Sequence, residues 1–249
     1  MAADRQATHG SLGMMTVGQP TTKISIVGAD VLFASSGHHG MGQQFEASVE
    51  RVSRDNYFRK NDYSIAIRRI QDGLRPIAEA AFRTAAAAAQ ILGHAAQADC
   101  ICGGLLAAVF QDGAKVIEIT PQIAVEFLTP ELAFLSMGSG KATADPFLGF
   151  LKNIFWPDRL PTVREGTLAA YWTIKLATDL RISGVGMGID IFTLETTENN
   201  WTARKLEDNE TAEHDSFIAN CEDALRSLAN AIAGKPAGEG TDSIPVPEP

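Results

Sequence analysis

The sequence predicts an α+β fold, in which two stacked antiparallel sheets are flanked by helices on both outer faces as a four-layer αββα sandwich. Three observations lead to this prediction: short strand-like segments near the start of the chain, two separate pairs of helical segments, and further strand-like segments between and after those pairs. Each apolar helix stripe and sheet face has to be buried against another element. Two sheets packed together, with helices outside, satisfy this requirement.

The first half of the chain alternates between short strands and long helices. Ile24 and Ile26 alternate with polar residues, whereas Met41, Phe45 and Val49 follow a helical period. An alanine-rich run of good helix formers comes later. The expected elements are strands at 1–8, 24–26 and 31–34, a loop at 9–22, and helices from Met41 and over 75–93.

The second half repeats this alternation. A continuous apolar run predicts a buried strand, and Leu168, Trp172 and Leu176 recur at the i+4 spacing of a helix face. The expected elements are strands at 100–110, 115–120, 132–137 and 187–194, and helices at 141–155 and 163–180.

Beyond residue 195 the composition becomes polar and acidic, and an amphipathic helix then follows, capped by Asp215 or Ser216. The Gly- and Pro-rich end is typical of disorder. The apolar row of the helix is Phe217, Cys221, Leu225, Leu228 and Ile232. The predicted organisation is a domain over 1–195, an acidic linker and helix over 196–233, and a disordered tail over 234–249.

Composition excludes several classes of protein. The 249 residues carry a net charge of −9, which argues against nucleic acid as a partner. The longest apolar run, 101–110, is too short to span a bilayer, so no membrane segment is expected. Three cysteines are too few for a disulfide framework and indicate a reducing compartment, here the cytoplasm.

Several short sequence motifs occur in a fixed order along the chain. In their order and spacing they resemble the motifs of the proteasome β-type subunit family of bacterial and archaeal threonine peptidases, over residues 1–195. The phrases are Ala2-Ala3-Asp4-Arg5-Gln6-Ala7-Thr8, Lys23, Ser36-Gly37, Cys102-Gly103-Gly104, Gly113-Ala114-Lys115, Gly138-Ser139-Gly140-Lys141-Ala142, and Asp179 with Ser183-Gly184.

The resemblance implies the fold of an N-terminal-nucleophile hydrolase and a role for each matching residue. A threonine hydroxyl attacks while its own α-amino group acts as base. Lys23 supplies positive charge, Asp4 pairs with Lys23, and Gly37 donates to the oxyanion. Ser139 contacts the N-terminal amine. The remaining implied roles are those of Asp179 and Ser183 as a supporting catalytic pair, of Thr8 and Gly37 in pairing with substrate backbone, and of Ser35 and His39 in the specificity pocket.

The function implied by the resemblance is endopeptidase activity on unfolded proteins inside a self-compartmentalising particle. Its partners are identical subunits in stacked rings, α-type subunits or an unfolding ATPase, and the unfolded polypeptide. No metal and no other cofactor is expected. A phosphate loop at Gly138–Lys141 is not supported, because Leu135 and Ala142 stand where that motif needs glycine and a hydroxyl residue.

The nucleophile itself raises alternatives, because Ala2-Ala3-Asp4 matches a part of the family pattern that follows the catalytic threonine. We expect that threonine just upstream of Met1. The other interpretations are a catalytically inactive ring or scaffold subunit, and processing before Thr21, which would remove Asp4. A second rival function, after the inactive subunit, is a small-molecule amidase of the same fold.

Overall fold

The structure is a computed structural model that describes residues 1–9, 17–92, 101–186, 188–197 and 200–233. The chain divides after Leu206 into two units.

The described part of the chain alternates strands and helices in the order expected for an α+β protein. Its strands are β1 (Ala2–Asp4), β2 (Gln6–His9), β3 (Val17–Pro20), β4 (Ile24–Ile26), β5 (Val31–Gly37), β6 (Cys102–Phe110), β7 (Gly113–Ile119), β8 (Val125–Phe127), β9 (Ile189–Thr197) and β10 (Asn200–Lys205). Its α-helices are α1 (His39–Ser53), α2 (Tyr57–Lys60), α3 (Tyr63–Leu92), α4 (Lys141–Phe155), α5 (Val163–Asp179) and α6 (Asp208–Ile232).

The strands form two larger antiparallel sheets and one small ribbon. One sheet has the strand order β1-β9-β10 and the other has the order β4-β5-β6-β7-β8, while β2 and β3 pair only with each other. The described strand pairs are all antiparallel. The predicted α+β class with two antiparallel sheets is therefore confirmed.

The first residues of strand β5, Val31 to Ala34, are all apolar because both faces of the strand are buried. Phe33 faces the helices and packs in one buried cluster with Phe45 of α1. The neighbouring side chains of Leu32 and Ala34 face the opposite way and pack in a second cluster with Phe192 of β9. A strand covered on both faces has no polar face to alternate with.

Helices also lie against the three-stranded sheet. Helix α5 packs against β9 and β1, and α4 packs against α5. The ring of Phe147 on α4 meets that of Trp172 on α5 edge to face, at a centroid distance of 5.6 Å. Both larger sheets therefore carry helices, as the order of elements requires.

Helix α3 begins at Tyr63, well before the predicted start at residue 75. Pro76 lies inside the helix, where proline removes a hydrogen bond and is locally unfavourable. Ala66, Ile70 and Leu74 recur at i+4 spacing and are completely buried. Burial of this face outweighs the local cost of Pro76.

We expect Ile70→Ala to lower the free energy of unfolding by about 2–5 kcal/mol, because it removes a fully buried side chain and leaves a cavity. Ile65→Ala is the matched control. That side chain is 49% exposed on the same helix, so the change should be within about 1 kcal/mol. Denaturant unfolding of both variants checks the prediction, and equal losses would contradict the observed helix face.

Three further expectations differ from the structure. The loop predicted at 9–22 contains β3, which pairs with β2. The strand predicted at 132–137 is absent from the described residues there; instead Leu132 and Thr129 close a turn through two hydrogen bonds. The linker predicted from residue 196 contains β10, an edge strand whose polar side chains face solvent.

Helix α6 begins at Asp208, earlier than the predicted caps Asp215 and Ser216. Glu207 and Glu210 form a reciprocal capping box, in which the Glu207 N–H donates to Glu210 Oε2 at 2.9 Å. Glutamate is not a favoured capping residue, which is why the start was missed. The predicted tail at 234–249, Cys100 and Met187 lie outside the described residues. In the part of the chain that is described, no helix has the length and apolar character to cross a membrane.

Candidate active site

A cavity of about 1300 Å³ lies within the unit formed by Met1–Leu206. Its walls include residues of β1, β4 and β5, the turn before α4, and the connection between α5 and β9. The sequence-predicted residues that line it are Asp4, Lys23, Ser35, Gly37, His39 and Ser139. Residues distant in sequence are thus brought together in one space.

The Asp4–Lys23 ion pair is the most completely built feature of this cavity. Asp4 ends β1 and is 6% exposed, and Lys23 immediately precedes β4. Lys23 Nζ donates to Asp4 Oδ2 at 2.8 Å. The second carboxylate oxygen, Oδ1, accepts the backbone N–H of Gln6 at 2.9 Å and that of Gly186 at 3.2 Å. Asp4 is therefore held from three sides and fixes the lysine head group.

Gly37 occupies a position that only glycine can fill. Its φ is +109°, and a Cβ atom there would lie 2.0 Å from the carbonyl oxygen of Ile101. The next residue, His38, donates its backbone N–H to the same carbonyl at 2.9 Å. Its Nδ1 accepts the Met41 N–H at 3.3 Å and so caps α1. The turn that follows Gly37 is therefore fixed through His38, by one hydrogen bond to Ile101 and by another to Met41.

Ser139 lies in the turn before α4, and this turn is packed against the end of β5. Gly138 has a φ of +87°, and a Cβ atom added to it would lie 2.9 Å from Ser36 Oγ. Lys141 follows the turn and donates to the Ser136 carbonyl at 2.8 Å while pairing with Asp145 at 3.0 Å. The turn that contains Ser139 is therefore packed against Ser36, and Ser139 and Gly37 line the same cavity. Ser36, which also lines the cavity, was not predicted as a site residue.

The other residues predicted to contact substrate are Ser35, His39 and Thr8, and they lie in different environments. A Cβ atom at Gly42 would come within 2.4 Å of Ser35 Oγ, so the first turn of α1 passes close to Ser35. His39 is exposed at the first position of α1. Thr8 pairs through its backbone with Gly18, and its side chain is not described. Their predicted roles stay predictions.

Asp179 and Ser183 are not among the described residues that line the cavity. Asp179 ends α5, is 60% exposed and forms an ion pair with Lys175 at 4.0 Å. Ser183 is exposed in the following turn. Instead, the connection between α5 and β9 reaches the site through the backbone N–H of Gly186 on Asp4. A backbone donor leaves no signature in a sequence, so Gly186 could not be predicted.

Cys102 pairs with Gly37 across β5 and β6, yet it is unsuited to act as a nucleophile. It is 1% exposed, and burial raises the pKa of its thiol to about 11. At neutral pH the reactive thiolate is therefore scarce. Among the described residues, no group of three or more His, Cys, Asp or Glu side chains is arranged to hold a metal ion.

We expect Cys102 in the native protein to resist alkylation by iodoacetamide at pH 7.5, and to react at least about 100-fold faster after unfolding in urea. Peptide mass spectrometry of the labelled protein measures this at Cys102 itself. Rapid labelling of the native protein would show an accessible, ionised thiol beside Gly37 and would contradict the burial described above.

Comparison with solved structures defines the class of fold. The chain is similar to Anbu from Hyphomicrobium sp. strain MC1, with a TM-score of 0.63 and 16% identity over 92% of this chain and 91% of that one. A second match is the structure described as the helical assembly of the Anbu complex from Pseudomonas aeruginosa, with a TM-score of 0.63 and 14% identity over 90% of each chain. A third is Anbu (ancestral beta-subunit) from Yersinia bercovieri, with a TM-score of 0.59 and 13% identity over 95% of this chain and 92% of that one.

These neighbours correct the family assignment made from sequence. They are Anbu proteins, which are proteasome-like but form a family of their own, so the assignment to the proteasome β-type family is wrong. No family model matches the chain, and no curated protein matches it. At these identities the likeness shows the fold, and any activity has to be argued from the site itself.

Proposed function

We propose that this chain is a hydrolase subunit of the N-terminal-nucleophile type, a threonine endopeptidase that cleaves unfolded polypeptide within an assembly of identical subunits. The observation that carries the proposal is the Asp4–Lys23 pair in the wall of the cavity, with the carboxylate fixed by two backbone N–H groups. A partly buried ion pair is costly to form, so its placement beside a cavity favours a chemical role.

In this proposal the nucleophile is a threonine that precedes Met1. Its hydroxyl attacks a peptide carbonyl while its own α-amino group takes the proton. Lys23 stabilises the alkoxide by its charge and keeps the amine unprotonated. The turn at Gly37 provides the oxyanion site, and Ser139 contacts the amine. Thr8, Ser35 and His39 contact the substrate.

The likeness to Anbu supports an assembly of identical subunits, since one of those structures is described as a helical assembly. We further propose that the two sheets and their helices form the complete four-layer αββα arrangement. Cytoplasmic location and cooperation with α-type subunits or an unfolding ATPase belong to the same proposal.

An assembly subunit without catalytic activity is the second candidate. One observation favours it: Asp179 and Ser183, expected as a supporting pair, have exposed side chains, and Asp179 pairs with Lys175 instead. In that case the Asp4–Lys23 pair would serve only to join β1 to the segment before β4.

A hydrolysis assay on protein isolated from its own cells separates the candidates. Such protein contains whatever segment precedes Met1. Cleavage of both a fluorogenic peptide amide and a chemically unfolded protein supports the endopeptidase. Cleavage of small amides alone identifies an amidase of the same fold, and full-size assemblies without turnover identify the inactive subunit.

A further inference from the structure

The C-terminal half of α6 carries a narrow apolar row. Cys221, Leu225, Leu228 and Ile232 alternate between spacings of four and three residues, which are the d and a positions of a heptad. Leu225, Leu228 and Ile232 are 56%, 52% and 88% exposed. Ile218, at the preceding a position, is buried. The row from Cys221 to Ile232, here called the α6 row, is therefore mostly exposed to solvent.

The flanks of the α6 row suit close contact with another helix. The e and g positions beside it hold Ala224, Ala229 and Ala231, and the charged flanking residue is Glu222. Small flanking side chains allow two helix axes to approach and let the Leu side chains interdigitate. Glu222 is already paired with Arg226 at 3.1 Å. The row thus resembles a short coiled-coil seam more than a broad solvated face.

Charge along α6 selects the direction of pairing. The first turns are acidic, with Asp208, Glu210, Glu213 and Asp215 before the row begins. A parallel pair of α6 helices would place these carboxylates side by side, which is unfavourable. An antiparallel pair over the α6 row sends the acidic segments to opposite ends and also opposes the two helix dipoles.

We propose that the α6 row is a contact between two copies of this chain, paired antiparallel about a two-fold axis. The spacing is self-complementary: Leu225 of one copy lies opposite Leu228 of the other, and Cys221 opposite Ile232. Each copy presents the same surface, as a closed two-fold contact requires. The seam is short, so the pairing is weak and depends on protein concentration. It does not depend on a threonine nucleophile.

Disulfide trapping in the full chain tests the pairing and its direction. In Ile232→Cys, Cys221 and the new cysteine are eleven residues apart, about 16 Å along one helix, so they cannot join within a copy. Mild oxidation should join Cys221 of one copy to position 232 of another. Asn230→Cys, on the opposite face of the helix, is the matched control. Peptide mass spectrometry identifies the linked residues.

Sedimentation velocity provides the second test. The double variant Leu225→Glu/Leu228→Glu should weaken self-association at least tenfold, whereas Asn230→Glu should leave it unchanged. Circular dichroism confirms that α6 remains helical. The proposal is overturned by a Cys221–Cys221 link as the main product, by equal trapping in Asn230→Cys, or by unchanged association in the double variant. The last result would mean that the copies associate through another surface.

Discussion

Replacing Gly37 with alanine should destabilise the protein by about 2–6 kcal/mol and abolish hydrolysis in whatever fraction remains folded. The added Cβ would lie 2.0 Å from the Ile101 carbonyl oxygen, and backbone cannot move aside as a flexible side chain can. The turn would have to shift, and the oxyanion site proposed there would shift with it. An error of even an ångström in such a site has a large effect on rate.

Gly113→Ala is the matched control for this experiment. Its φ of +116° is close to that of Gly37, but a Cβ atom there meets nothing within 4 Å. It should therefore show only the strain of the backbone conformation, about 1–3 kcal/mol, and retain full turnover per folded molecule. Thermal unfolding and peptide hydrolysis are measured on both variants. Equal effects of the two substitutions would contradict the close approach at Gly37.

Replacing Lys23 with methionine should reduce peptide hydrolysis by about 100- to 1000-fold, because the charge that stabilises the attacking alkoxide is removed. Asp4 would also lose its partner, although the N–H groups of Gln6 and Gly186 would still satisfy its other oxygen. Lys60→Met is the control, since Lys60 is an exposed lysine at the end of α2. It should leave activity unchanged.

Lys23→Arg distinguishes chemistry from stability. Arginine keeps an ion pair with Asp4, so the melting temperature should change little, but its charge sits on a longer and planar head group. Hydrolysis should still fall at least about tenfold, because the charge is displaced from the reacting atoms. A variant with unchanged kcat would show that Lys23 serves the structure alone.

Much of the fold could be predicted because its signals are local. The face of α1 with Phe45 and Val49 follows from residue spacing, and the strand predicted at 31–34 lies within β5. The early start of α3 could not be predicted, since Pro76 is a local helix breaker and the buried face of Ile70 and Leu74 overrides it only through tertiary packing. Strand β10 was missed because an edge strand can be polar.

The parts of the candidate site that are formed by characteristic side chains could be predicted from the sequence. Asp4 and Lys23 were identified from short phrases, and they meet in the wall of the cavity. The contributions of Gly186 and Ser36 could not be predicted. Gly186 acts through its backbone N–H, and Ser36 is brought near Gly138 only by the fold. Asp179 was predicted as a site residue because it matches a family motif. In the structure its exposed side chain forms an ion pair with Lys175, and the motif does not predict that pairing.

Covalent trapping of the nucleophile tests the proposed threonine mechanism most directly. Protein isolated from its own cells is incubated with a peptide that ends in an electrophilic group, and the modified residue is located by intact mass and peptide mass spectrometry. We expect one adduct per active subunit, on an N-terminal threonine that precedes Met1, and loss of that adduct in Lys23→Met. An adduct on Ser139 or Cys102, or none on fully assembled protein, would contradict it.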